Sequence, residues 1–200
     1  MSSQPPSAET VALLKKMKEE SLLRHYSRNL FLCENGTKFT LFRENKVVTY
    51  AHGRTLQIGD SIEIRRFAPT QRDAFNVRVI QIDNASDFMV LQADCDMFVH
   101  GSAPSLHLPR IGCNFVVCTD KDMLSYHKVD VIPYTDHPDI LGKGFSKEKP
   151  LASPEGGGCY QADTNQLGGI CVGWREIKTE IEGKVSCTYE FNFCAGGVFF

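Results

Sequence analysis

The sequence predicts an all-β domain preceded by one helix. Three observations carry this. Short runs rich in β-branched and aromatic residues recur at intervals near ten from about residue 29 onward. Turn signals such as Glu34-Asn35-Gly36, Glu44-Asn45, Gly59-Asp60 and Asp83-Asn84 separate them. Only residues 9–27, ETVALLKKMKEESLLRHYS, show a helical pattern.

Taken in order, residues 1–8 are Ser/Pro-rich and are expected to be disordered. In the helix, assigned to residues 9–28, Val11, Leu14, Met17 and Leu22 trace one apolar face and Lys and Glu cover the rest. The expectation is that this stripe packs on the domain; the alternative is a helix that binds a partner. Strands are expected at 29–33, 38–43, 46–50, 61–67, 75–82 and 88–92, forming a first unit over residues 29–100. Residues 101–112, with Pro104 and Pro109, read as a linker. A second unit, residues 113–200, has strands at 114–119, 128–133, 159–162, 169–174 and 185–193. Residues 134–158, rich in Gly and Pro, read as a long irregular loop, a place where function often resides.

With 200 residues the chain can bury a sizeable core without disulfides. A net charge of −2 offers no electrostatic attraction to nucleic acid or to an anionic membrane, and no apolar run reaches bilayer length. MSSQPPSAET lacks the basic and apolar regions of an export signal. The eight cysteines are therefore expected to be reduced thiols, mostly in the core, in a cytoplasmic protein.

Three segments carry chemistry together. VVTYAHG, residues 47–53, is an apolar strand that ends in a small residue followed by His52. NASDFMVLQA, residues 84–93, places Asp87 ahead of the apolar run 88–91. SPEGGGCYQADTNQLGGICVGW, residues 153–174, is a Gly-rich turn followed by two strands. In this order and with these strands between them, the segments resemble the chymotrypsin-like (trypsin-like) peptidases, a group that includes viral cysteine proteases of the same fold. The resemblance covers roughly residues 29–175. It implies a chymotrypsin-like double β-barrel, with His52 at the general-base position and Asp87 at the position of the carboxylate that orients it.

The same resemblance exposes a defect. Laid on the family's Gly-Asp-Ser-Gly-Gly turn, Glu155 stands for the aspartate and Gly156 for the serine, and the spacing also allows Gly157. Pro154 would then stand where an oxyanion-binding N–H is needed, and proline has none. Cys159 is the alternative nucleophile, since a thiolate paired with histidine is more reactive than a hydroxyl. Its competing reading is a core residue at the start of a strand. Val172, Gly173 and Trp174 would line the substrate groove, and Pro150 marks no acidic pocket for Lys or Arg.

The leading expectation is a trypsin-like serine protease homologue that has lost hydrolysis and binds a protein or extended peptide in the inter-barrel groove, with no nucleic acid, membrane or cofactor as partner. The alternative is an active endopeptidase using Cys159. A third reading, a zinc module built from Cys95, His100, Cys113 and Cys118, is weak. The odd spacing of Cys113 and Cys118 points them to opposite faces of a strand, so no metal is expected.

Overall fold

The computed structural model describes residues 3–67, 73–99, 104–106, 114–121, 123–133, 140–147, 149–150, 153–161 and 164–194. Ser7 caps a helix, α1 (Ala8–Ser27), its hydroxyl accepting from the Thr10 N–H at 3.2 Å. Among the described residues, twelve strands follow and close into two antiparallel barrels of six. The first contains β1 (Leu30–Leu32), β2 (Lys38–Arg43), β3 (Lys46–Tyr50), β4 (Ser61–Arg66), β5 (Ala74–Asp83) and β6 (Phe88–Gln92), in the order β1-β2-β3-β6-β5-β4. The second contains β7 (Asn114–Lys121), β8 (Met123–Pro133), β9 (Ile140–Ser146), β10 (Gly158–Gln161), β11 (Leu167–Ile181) and β12 (Lys184–Cys194), in the order β10-β11-β12-β9-β8-β7.

The apolar runs that do not alternate with polar residues explain how the barrels meet. In β6, Met89 and Leu91 point into the first barrel, where they pack with Phe31, Phe39, Leu41 and Val47. Phe88 and Val90 point the other way, into a cluster that also holds Val48, Phe42, Tyr160, Ile170 and Val172. That cluster draws on both barrels, so these strands are buried on both faces and their apolar residues run consecutively. β11 behaves alike: Ile170 and Val172 face the first barrel, while Cys171 faces the interior of the second with Cys159, Phe191 and Phe193.

The structure corrects the sequence reading at two places. Residues 134–158 are not one irregular stretch, because β9 crosses them and pairs with both β8 and β12. The stripe of α1 is not packed on the domain: Val11, Leu14 and Met17 are each more than half exposed. The side chain of Leu22 lies outside the described residues, as do His100 and Cys113. Instead, the helix is fastened at its last turn. Tyr26 is fully buried, stacks on Tyr160 with ring centroids 4.2 Å apart, and donates a hydrogen bond from its hydroxyl to Asn165 Oδ1 at 2.6 Å. Among the described residues, no helix is long and apolar enough to cross a membrane.

Candidate active site

His52 follows β3, in the turn between β3 and β4 of the first barrel, and Asp87 immediately precedes β6, the strand paired with β3. The pairing Tyr50↔Phe88 brings the two turns side by side. Asp87 sits at φ 60°, a left-handed conformation that aspartate tolerates better than most residues. From there Oδ1 accepts the backbone N–H groups of Ala51 (3.0 Å) and His52 (2.7 Å), and Oδ2 lies 2.6 Å from His52 Nδ1. One carboxylate therefore shapes the turn and fixes the imidazole. Nδ1 is the protonated nitrogen in this pairing, which leaves Nε2 as an acceptor in the neutral ring. The face of the ring is backed by Tyr50, 4.6 Å between centroids, and the Arg54 guanidinium lies 4.2 Å from the Tyr50 ring centroid. His52 and Asp87 thus come together.

The group opposite Nε2 comes from the second barrel. It is the carboxylate of Glu155, with Oε2 3.7 Å from Nε2. The side chains of His52, Asp87 and Glu155 are 49%, 24% and 26% exposed, so the constellation opens to solvent. The sequence reading places Glu155 in the turn but gives it no contact with histidine.

The turn is held tightly. Gly156, at φ 85°, donates its N–H to the Cys171 carbonyl at 2.7 Å, and Cys171 returns its N–H to the Gly157 carbonyl at 3.0 Å. Gly157 donates to the Pro154 carbonyl at 3.0 Å. From the first barrel, Thr40 Oγ1 donates to the Gly156 carbonyl at 2.9 Å. A Cβ built on Gly156 would overlap the Lys38 carbonyl oxygen. The N–H groups of Gly156 and Gly157 are engaged within the protein, and Pro154 has none.

Cys159 does not join the constellation. It is fully buried and faces the interior of the second barrel beside Cys171, Tyr189, Phe191 and Phe193, while its neighbour Tyr160 faces the first barrel. Strand alternation sends the thiol away from the inter-barrel face, which corrects the reading of Cys159 as a nucleophile. Cys171 is equally buried, and that burial pushes its thiol well above the ordinary range. Val172 is also turned inward, 6% exposed in the inter-barrel cluster, so its side chain does not line an open groove. Gly173 and Trp174 are half-buried where β11 runs past the end of β10, and Trp174 packs near Tyr189. Among the described residues there is no cluster of three or more metal-ligating side chains.

No family model matches the sequence. No curated protein matches it either. Solved structures do resemble the fold. The MamO protease domain from Magnetospirillum magneticum superposes with a TM-score of 0.60 at 13% identity, covering 87% of this chain and 95% of its own. The serine endoprotease from Yersinia pestis gives 0.58 at 10% identity over 98% of this chain, which spans 64% of that longer protein. A serine protease from human pathogenic astrovirus gives 0.57 at 11% identity, covering 88% of this chain and 98% of its own. Together with the two closed barrels, these likenesses show that the chain has the chymotrypsin-like protease fold.

Proposed function

We propose that this chain is a non-catalytic, trypsin-like protease homologue that binds a protein or extended peptide segment in the groove between its barrels. The observation that carries the reading is the identity of the group facing His52 Nε2. It is the Glu155 carboxylate, which when ionised accepts hydrogen bonds and has no proton to yield to a base. Acyl transfer needs a hydroxyl or thiol at that place.

Two further facts support it. In the resemblance to the peptidases, Gly156 takes the serine position and Pro154 that of an oxyanion donor. The N–H groups that remain in the turn bond to Cys171 and Pro154 carbonyls rather than pointing into a free site. An edge for a partner remains: β11 continues past β10 with Gly173 and Trp174, on which an extended segment can add a strand. A cytoplasmic setting fits the same reading, since Cys33, Cys95, Cys171 and Cys187 are free thiols.

The test is labelling of the native protein with a fluorophosphonate and with iodoacetamide, read by intact mass and site mapping, beside His52→Ala. The expected result is no serine adduct and slow thiol modification that His52→Ala does not change. Fast, His52-dependent modification of any single serine or cysteine would overturn the proposal.

A further inference from the structure

The hairpin made by the outer half of β11 and the start of β12 outruns its barrel. β10 flanks β11 only as far as Ile170, and β9 flanks β12 only from Tyr189 onward. From Arg175↔Glu190 to Ile181↔Lys184 the two strands pair with each other. Among the described residues no strand covers the outer edge of β11 in this stretch. Such an edge presents unpaired N–H and C=O groups and is a template for another strand.

The geometry says which groups are presented. Glu182 (φ 52°) and Gly183 (φ 76°) form a two-residue turn of the I′ kind, so Ile181 and Lys184 exchange hydrogen bonds within the hairpin. Alternation then directs the backbone groups of Glu180, Lys178 and Glu176 outward. The side chains of this edge read Glu176, Ile177, Lys178, Thr179, Glu180, Ile181, and 178–181 are exposed, Ile181 at 66%.

That sequence is complementary to itself. Place a second copy antiparallel across a two-fold axis at Thr179. Lys178 then stands opposite Glu180 of the second copy, and Glu180 opposite its Lys178. Both positions carry outward-facing backbone groups, so they form the hydrogen-bonded pairs of the ladder. Ile177 stands opposite Ile181 of the second copy, covering an isoleucine that is otherwise in water, and the ladder ends there, because Glu176 would next meet the turn residue Glu182. Axes through Lys178 or Glu180 set like charges face to face, which is unfavourable. An axis through Ile177 pairs Glu176 with Lys178 but leaves Ile181 uncovered. The outer edge of β12 has Lys184 and no acidic residue before Thr188, so it offers no such match. An edge lysine ordinarily repels a like strand; here Glu180 removes that protection in the register centred on Thr179.

We propose that residues 177–181 form an isologous interface, through which two copies of this chain join β11 to β11 around Thr179. The test is sedimentation velocity over a concentration series. The wild type is expected to reach twice the chain mass. Lys178→Glu sets glutamates against glutamates at both symmetric positions and weakens association by roughly tenfold or more. Lys178→Glu combined with Glu180→Lys restores it. Because these side chains are exposed, circular dichroism confirms that each variant stays folded. As a check of register, Thr179→Cys yields an interchain disulfide under mild oxidation, since that non-hydrogen-bonded pair is close, and Ile177→Cys does not. A wild type that stays monomeric throughout, a dimer indifferent to Lys178→Glu, or cross-linking through position 177 instead of 179 would each overturn the proposal.

Discussion

Gly156 of the second barrel lies directly on the backbone of Lys38 in the first, so close that its missing side chain is the space the Lys38 carbonyl occupies. Its φ of 85° is a second reason for glycine there. Gly156→Ser, the substitution that writes the peptidase nucleophile back into the turn, is therefore expected to destabilise the protein. The size is roughly 2–5 kcal/mol, combining left-handed backbone strain with overpacking. No esterase activity should appear with it. Urea unfolding and hydrolysis of a reactive ester check the two halves of this prediction, and a stable, hydrolytic variant would refute it.

Asp87 supports the turn that carries His52 through two backbone hydrogen bonds. Asp87→Ala leaves the His52 N–H without its acceptor and the Ala51 N–H with only the Asp87 backbone carbonyl, and is expected to cost about 1–3 kcal/mol. Asp87→Asn keeps an acceptor oxygen and tolerates the left-handed backbone, so its loss should be smaller. Paired urea titrations of the two variants provide the comparison; equal losses would mean that the backbone contacts contribute nothing.

His52 Nε2 and the Glu155 carboxylate lie 3.7 Å apart with both side chains partly in solvent, and the value of this contact for stability is small. Glu155→Gln is expected to change unfolding free energy by less than about 1 kcal/mol. Solvent screening predicts that any such difference shrinks further with added salt, which denaturation at low and high ionic strength measures.

Cys171 keeps its proton in the fold to a higher pH than it would in the unfolded chain, because burial disfavours the thiolate. Above the ordinary thiol value of 9.0 the unfolded state loses protons that the folded state retains. The contribution is thus fully present below that pH and is lost as pH rises beyond it, at up to about 1.4 kcal/mol per pH unit. Cys171→Ala should show a flatter decline of stability between pH 8 and about 10.5 than the wild type. Melts at matched pH values isolate the difference, and parallel curves would exclude it.

Tyr26 ties the helix to the second barrel by stacking and by one hydrogen bond. Tyr26→Phe removes the hydroxyl that bonds Asn165 and is expected to cost about 0.5–1.5 kcal/mol. Tyr26→Ala also empties a buried ring site and is expected to cost about 3–5 kcal/mol. Thermal melts of the pair apportion the two contributions.

Most strands were legible because their apolar residues announce burial. The run Phe88–Gln92, apolar on both faces, could only be an interior strand, and it sits where both barrels bury it. β9 escaped notice because ILGKGFS contains two glycines and a lysine, residues that favour turns when no partner strand is known. Its pairing with β8 and β12 decides the matter. The outer half of β11 was missed for a different reason. With both faces largely in solvent, REIKTEI has no buried side to reveal. At the site, His52 and Asp87 were legible because each terminates a recognisable apolar strand. The position of Glu155 was not, since which turn residue reaches Nε2 depends on the hydrogen bonds of Gly156 and Gly157 to Cys171 and Pro154. The inward direction of Val172 depends on the second barrel meeting the first, a relation between strands distant in the chain.

The hydrogen bond from Tyr26 to Asn165 joins residues 139 positions apart. On a growing chain, the helix emerges early, and its last turn has no stacking surface until β10 and the loop beyond it have been made. Closing so long a loop is entropically costly until most other contacts exist. Docking of the helix end is thereby a late event of folding, and its amide protection under hydrogen exchange reports whether both barrels are complete.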